Sequence, residues 1–124
     1  MSFFNKIFGS DEPQKSSSTF WNTIESEEDL QEAIGQSFEK KVVVFKHSTR
    51  CHISKMVLKN FEKEVAGAEN DAVYYFLDLI SYRPISNKIA EDLGVTHQSP
   101  QMIVLENGKA VKNASHQSIS VNLI

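Results

Sequence analysis

The chain has 124 residues, 40% of them hydrophobic and 23% charged, with a formal net charge of −3. That length suits one domain with its own core, and the slight acidity leaves no broad basic field to hold nucleic acid. A single cysteine excludes an internal disulfide and fits a reducing, cytoplasmic setting.

The chain opens on Met1-Ser-Phe-Phe-Asn-Lys-Ile-Phe-Gly9, with Phe3, Phe4, Ile7 and Phe8 on one helical face. Asn5 and Lys6 interrupt the apolar stretch a secretory signal needs. Ser2 stands where myristoylation requires glycine. No apolar run is long enough to span a bilayer, so stable membrane insertion is not expected. Residues 1–18 read as a flexible N-terminal tail, frayed or docked on its own domain, in preference to a segment that touches a membrane or partner. Its second half, Gly9 to Ser18, is a linker by composition. The folded domain is expected over residues 19–124.

Phe20-Trp21-Asn22-Thr23-Ile24 is a short β-prone run suited to a sheet edge. Ser26 is a good N-cap, followed by Glu27, Glu28 and Asp29, and Leu30 and Ile34 recur at helical spacing. Together they predict a helix over about residues 27–37. Val42-Val43-Val44-Phe45 lacks polar alternation, the mark of a central strand buried on both faces. After the turn His47-Ser48-Thr49-Arg50, the four-residue spacing of Ile53, Val57, Phe61 and Val65 predicts a second helix. Met56 and Leu58 flank its apolar face, and Gly67 is its stop. Ala72 to Leu79 reads as another buried strand. Ile85, Ile89 and Leu93 mark a third helix with Gly94 as its C-terminal glycine. Gln101 to Leu105 is a third core strand, and Asn107-Gly108 joins it as a hairpin to Lys109–Asn113. Ser118 or Ser120 is a candidate cap for a short last helix.

This order, β-α-β-α-β-α-β-β, predicts an α/β, thioredoxin-like fold. A central mixed four-stranded sheet, with room for an extra edge strand, carries helices on both faces.

Cys51 falls just after the central strand and at the start of a helix. The thiolate is the reactive form of a cysteine. Unpaired N–H groups and the dipole of a helix start favour an anion. Lys46, His47, Arg50, His52 and Lys55 lie close in sequence and are expected to act in the same direction. The nearest acids, Glu39 and Glu62, are at least 11 positions away. In Cys51-His52-Ile53-Ser54, Ser54 stands where a Cys-x-x-Cys motif carries its resolving thiol. A hydroxyl there can hydrogen-bond the thiolate or satisfy a backbone group, but it cannot attack a disulfide. The chemistry then passes through a mixed disulfide that an external thiol must resolve.

Ser99-Pro100 immediately precedes a core strand. Taken alone, an X-Pro at a strand start is more often trans; its placement after the third helix favours the thioredoxin-like arrangement, in which this proline is cis and beside the active cysteine and the preceding residue's backbone can pair with an extended substrate. Asp78 reads either as a proton relay or as the cap of the loop that follows it. Tyr74, Tyr75 and Phe76 read as core and sheet-face residues. Arg83, opening the third helix, is a weak candidate to meet a ligand's carboxylate.

Thr49-Arg50-Cys51-His52-Ile53-Ser54, the strand ending in Asp78, the Ser86–Val95 helix and His97-Gln98-Ser99-Pro100-Gln101 resemble the monothiol bacilliredoxin family. These are thioredoxin-fold proteins of bacteria, and the resemblance spans roughly residues 20–114. It implies removal of bacillithiol from S-bacillithiolated client proteins. Cys51 would attack the mixed disulfide and take over the bacillithiol, and a second bacillithiol would regenerate the thiol. On this footing Cys51 is catalytic, and Thr49, Arg50, His52, Ser54, Ser99 and Pro100 support it or bind substrate. No bound cofactor is implied, only a low-molecular-weight thiol as co-substrate. The chain carries His52 where the family is associated with proline. A histidine there can donate a hydrogen bond or, when protonated, favour the thiolate.

Three rival readings remain open at this level. His47, Cys51, His52 and His97 are candidate zinc ligands, though without the paired spacing zinc sites favour. The second compares Cys51 with the cysteine of monothiol glutaredoxins that holds an iron–sulfur cluster together with glutathione. The third is a non-catalytic interaction module of thioredoxin fold.

Overall fold

Six consecutive buried residues, Val42 to His47, form the strand at the centre of the molecule. In the computed structural model, which describes residues 20–68 and 71–124, every other element is arranged around it. The tail and linker assigned to residues 1–18 lie outside the described residues. The elements are β1 (Trp21–Thr23), α1 (Glu27–Gln36), β2 (Val42–His47), α2 (His52–Gly67) and β3 (Val73–Asp78). They continue with α3 (Arg83–Leu93), β4 (Gln101–Glu106) and β5 (Lys109–Ser115). The sheet runs β1-β3-β2-β4-β5. β2 lies parallel to β3 and antiparallel to β4, so the sheet is mixed. The edge position read from residues 20–24 is taken by β1, three residues parallel to β3.

Alternate residues of β2 face opposite sides. Val42 and Val44 join Leu30 and Ala33 of α1 and Ile85 and Ile89 of α3 in one core layer. Val43 and Phe45 pack with Val57 and Phe61 of α2 in the other. Helices thus cover both faces, as the apolar character of β2 requires.

Local chemistry sets the element ends. The Ser26 hydroxyl accepts a hydrogen bond from Asp29 N–H at 3.0 Å, capping α1 ahead of three acidic residues. α3 ends at Gly94, which adopts the left-handed conformation with φ 66°. Asn107 and Gly108, with φ 54° and 78°, make the two-residue turn between β4 and β5. Asp78 ends β3 as a loop cap. Its carboxylate accepts from Ile80 N–H (3.1 Å), Ser81 N–H (3.3 Å) and the Ser81 hydroxyl (3.0 Å).

Two expectations are corrected. Ile53 does not begin the apolar stripe of α2, because it is 46% exposed and Met56 is 53% exposed. The buried face is Ser54, Val57 and Phe61. The helix begins past the end of β2, and Ser54 is the residue of its first turn that reaches back to the sheet. Residues 115–124 form no α-helix but two 3₁₀ turns, His116–Ser118 and Val121–Leu123. Ser120 caps the second turn, accepting from Asn122 N–H at 3.1 Å. Ile119, Val121, Leu123 and Ile124 all pack against the α2 side of the core. Their near-alternate spacing does not make one helical face, so turns bury them better than a helix would. No helix among the described residues is long and apolar enough to cross a membrane.

Candidate active site

The turn from β2 to α2 carries the residues singled out in the sequence. Cys51 is the N-cap of α2, in extended backbone geometry (φ −105°, ψ 119°), and is half-buried. Its N–H donates to Ser48 O at 3.2 Å, and its carbonyl accepts the first intrahelical bond, from Lys55 N–H at 3.1 Å. Its side chain makes no capping hydrogen bond, so the sulfur is not committed to the helix it begins. The N–H groups of the first turn are the ones a helix leaves without intrahelical partners. Thr49, Arg50 and His52 are exposed around the cysteine.

Ser54 is fully buried. Its Oγ accepts from Ser48 N–H at 3.1 Å and lies 2.8 Å from His47 Nδ1. Burial is the main force holding His47 below its ordinary pKa; Lys55 adds to it, while Asp78 and Glu62 oppose it. The imidazole is therefore neutral at pH 7, and the His47 tautomer sets which of the two groups donates in this contact. Of the two roles the sequence left open for this hydroxyl, the structure shows the backbone-satisfying one, extended to His47. The serine in the resolving position locks the start of α2 onto the end of β2.

Of the two basic residues that end β2, Lys46 and His47, it is His47 whose expected contribution of charge to a thiolate is corrected. Both side chains turn into the sheet, one toward each face, because β2 is buried on both sides. His47 is neutral, and Lys46 is fully buried on the face of α1 and α3. The cationic groups left exposed near the cysteine are Arg50 and Lys55, with His52 beside them.

The Ser99–Pro100 peptide bond is cis. Lys46 of β2 lies opposite Gln101 of β4, so the turn bearing Cys51 and the proline loop sit at the same end of the sheet. Pro100 is buried, and its carbonyl accepts from His116 N–H at 3.2 Å. Among the described residues, neither the N–H nor the C=O of Ser99 pairs with another backbone group, and its buried Oγ has no partner. A strand-like substrate segment has a free amide and carbonyl to pair with there.

One cluster was not recognised in the sequence as a unit. Lys46 Nζ lies 3.0 Å from Nδ1 of His97, in the loop before Pro100, and Ser86 Oγ of α3 lies 3.4 Å from the same nitrogen. The usable signal was the position of Lys46 inside an unbroken buried run, which forces a lysine into the interior. His97 and His47 are held on opposite faces of the sheet. Among the described residues, no three His, Cys, Asp or Glu side chains converge as a metal site.

The model of the monothiol bacilliredoxin (BrxC) family matches residues 22–124. A solved structure described as having a thioredoxin fold, with a provisional oxidoreductase assignment, is 32% identical, with a TM-score of 0.72 over 83% of this chain and 88% of its own. The thioredoxin NaTrxh of Nicotiana alata is 21% identical (TM-score 0.66; 84% and 87% covered). Malassezia sympodialis thioredoxin is 18% identical (TM-score 0.63; 86% and 87% covered). The latter two share the fold alone. A lone cysteine capping a helix at the end of a central strand, a serine in the resolving place, a cis-proline at the same sheet end and a family match over residues 22–124 agree: this chain belongs to the monothiol bacilliredoxin family, thiol oxidoreductases of thioredoxin fold.

Proposed function

We propose that this protein removes a low-molecular-weight thiol, bacillithiol by family, from mixed disulfides on client proteins, with Cys51 as the nucleophile. The Cys51 thiolate attacks the small-thiol sulfur of a client–S–S–R disulfide. The S–S bond breaks, the client leaves as a thiolate and takes a proton, and Cys51–S–S–R forms. A second R–S⁻ then attacks that disulfide, releasing R–S–S–R and restoring the Cys51 thiolate. Each cycle consumes one free small thiol, and in each of its two exchanges one disulfide breaks as another forms, so the electrons balance. Ser99 supplies backbone pairing for the client segment, and the exposed Thr49, Arg50 and His52 line the approach to the sulfur. The reducing cytoplasm is the compartment in which such a cycle is sustained.

The observation that carries this reading is the pairing of Cys51 with Ser54. The chain has one cysteine, half-exposed at a helix N-cap. The residue one turn on is a serine whose oxygen is occupied by Ser48 and His47. Resolution must therefore come from an outside thiol.

The test is mass spectrometry after incubation with oxidised bacillithiol and, separately, oxidised glutathione at neutral pH. A mass adduct on Cys51, reversed by free thiol and absent from Cys51→Ser, is expected, with bacillithiol preferred. If neither disulfide forms an adduct, the reading is wrong.

A further inference from the structure

Lys46 is fully buried, and no carboxylate forms an ion pair with it among the described residues. Burial and the nearby Arg83 guanidinium bring its pKa down to about 8, which leaves it mostly protonated at neutral pH. A buried cation without a counter-charge weakens a fold, and an apolar side chain of similar length would fill the space without that cost. A local feature that opposes stability points to function.

The ammonium has donors and no acceptor. At 3.0 Å, His97 Nδ1 must therefore accept from it, and the imidazole proton is assigned to Nε2. His97 lies three residues before Pro100 in the loop that joins α3 to β4. Gln101, the cross-strand neighbour of Lys46, holds the same loop by donating from Nε2 to Thr96 O at 2.9 Å. Two side chains adjacent on β2 and β4 thus anchor consecutive residues of the loop that ends in Ser99-Pro100.

Building on the thiol-exchange reading above, we propose that Lys46 is a positioning residue, whose ammonium, through His97 Nδ1, fixes the cis-proline loop where a client mixed disulfide docks. It acts on client binding and leaves the intrinsic reactivity of Cys51 alone.

The test compares wild type with Lys46→Met. Three readouts are turnover of a peptide–bacillithiol mixed disulfide with free bacillithiol as the resolving thiol, alkylation of Cys51 by iodoacetamide, and ¹⁵N NMR of the His97 ring. Wild type is expected to show the Nε2–H tautomer, and Lys46→Met to lose that preference. kcat/KM on the peptide disulfide should fall about tenfold or more, mainly through KM. Alkylation, which needs no docked client, should stay within about twofold. A second pair keeps the test sound if Lys46→Met folds poorly. His97→Asn, whose amide oxygen can replace Nδ1 as acceptor, should retain most of the activity that His97→Leu loses. Unchanged kcat/KM in Lys46→Met, or equal activity of the two His97 variants, overturns the proposal. So does loss of alkylation in parallel with turnover. A wild type that forms the expected tautomer but never reduces the peptide disulfide overturns the functional reading itself, and this proposal with it.

Discussion

The Ser54 hydroxyl ties the first turn of α2 to the last residues of β2, through Ser48 N–H at 3.1 Å and His47 Nδ1 at 2.8 Å. Replacing it with alanine leaves a buried N–H and a buried imidazole nitrogen without their partner. Ser54→Ala is expected to destabilise the protein by about 1–3 kcal/mol, measured by urea unfolding. Cys51 is a contrasting case. Its side chain makes no capping bond and is half-exposed. Cys51→Ser is expected to abolish thiol exchange, read by mass spectrometry, while changing stability by no more than about 0.5 kcal/mol. Neighbouring residues one turn apart thus divide the work between reactivity and architecture.

At the scale of elements, α2 is tied at its first turn by Ser54 and packed further along by Val57 and Phe61, while Ile53 and Met56 stay exposed. Phe61 is 1% exposed, and its ring centroid lies 5.5 Å from that of Phe45 and 6.2 Å from those of Trp21 and Tyr74. Trp21 is fixed in turn by its indole N–H, which donates to Glu62 Oε2 at 2.8 Å. Phe61→Ala opens a cavity among these rings and should cost about 3–5 kcal/mol, seen as a lower denaturant midpoint. Ile53→Ala and Met56→Ala, on the exposed overhanging turn, should each shift stability by under about 0.5 kcal/mol. Equal losses at Phe61 and Ile53 would contradict this division of the helix.

Across the whole molecule, buried ionisable groups give stability a defined pH dependence. The folded pKa of Lys46 is about 8, below the ordinary 10.5. Between those values the unfolded chain binds the extra proton, so this lysine makes stability rise with pH from about 8 to 10.5. At neutral pH the protonated lysine therefore lowers stability, through burial first and the neighbouring Arg83 second. His47 and His97 are both held below 6.5, chiefly by burial. Stability therefore declines as pH drops below 6.5 and levels off beneath their folded values. Tyr75, pushed up by burial and by Glu32 and Asp29, acts in the opposite sense above pH 10. The difference between Lys46→Met and wild type isolates the lysine. In urea unfolding, the variant's stability advantage should be largest near pH 7 and shrink toward pH 10.5. A constant difference across that range would contradict an uncompensated buried charge.

The residues alone determined what depends on near neighbours along the chain. The unbroken run of β2 specified a central strand, Ser26 and Gly94 marked helix ends, Asn107-Gly108 specified the hairpin turn, and Cys51 fell at a helix start. The serine in the resolving place was legible for the same reason, because it is a matter of spacing within one turn. Only the tertiary structure decided which sheet face Lys46 and His47 occupy, whom Ser54 serves, that Ile53 overhangs the sheet, and that residues 115–124 fold as turns. Those outcomes depend on groups brought together from distant positions, such as Lys46 and His97, 51 residues apart. A local pattern shows that a side chain must be buried, but what it meets there is set by strand order and register across the sheet.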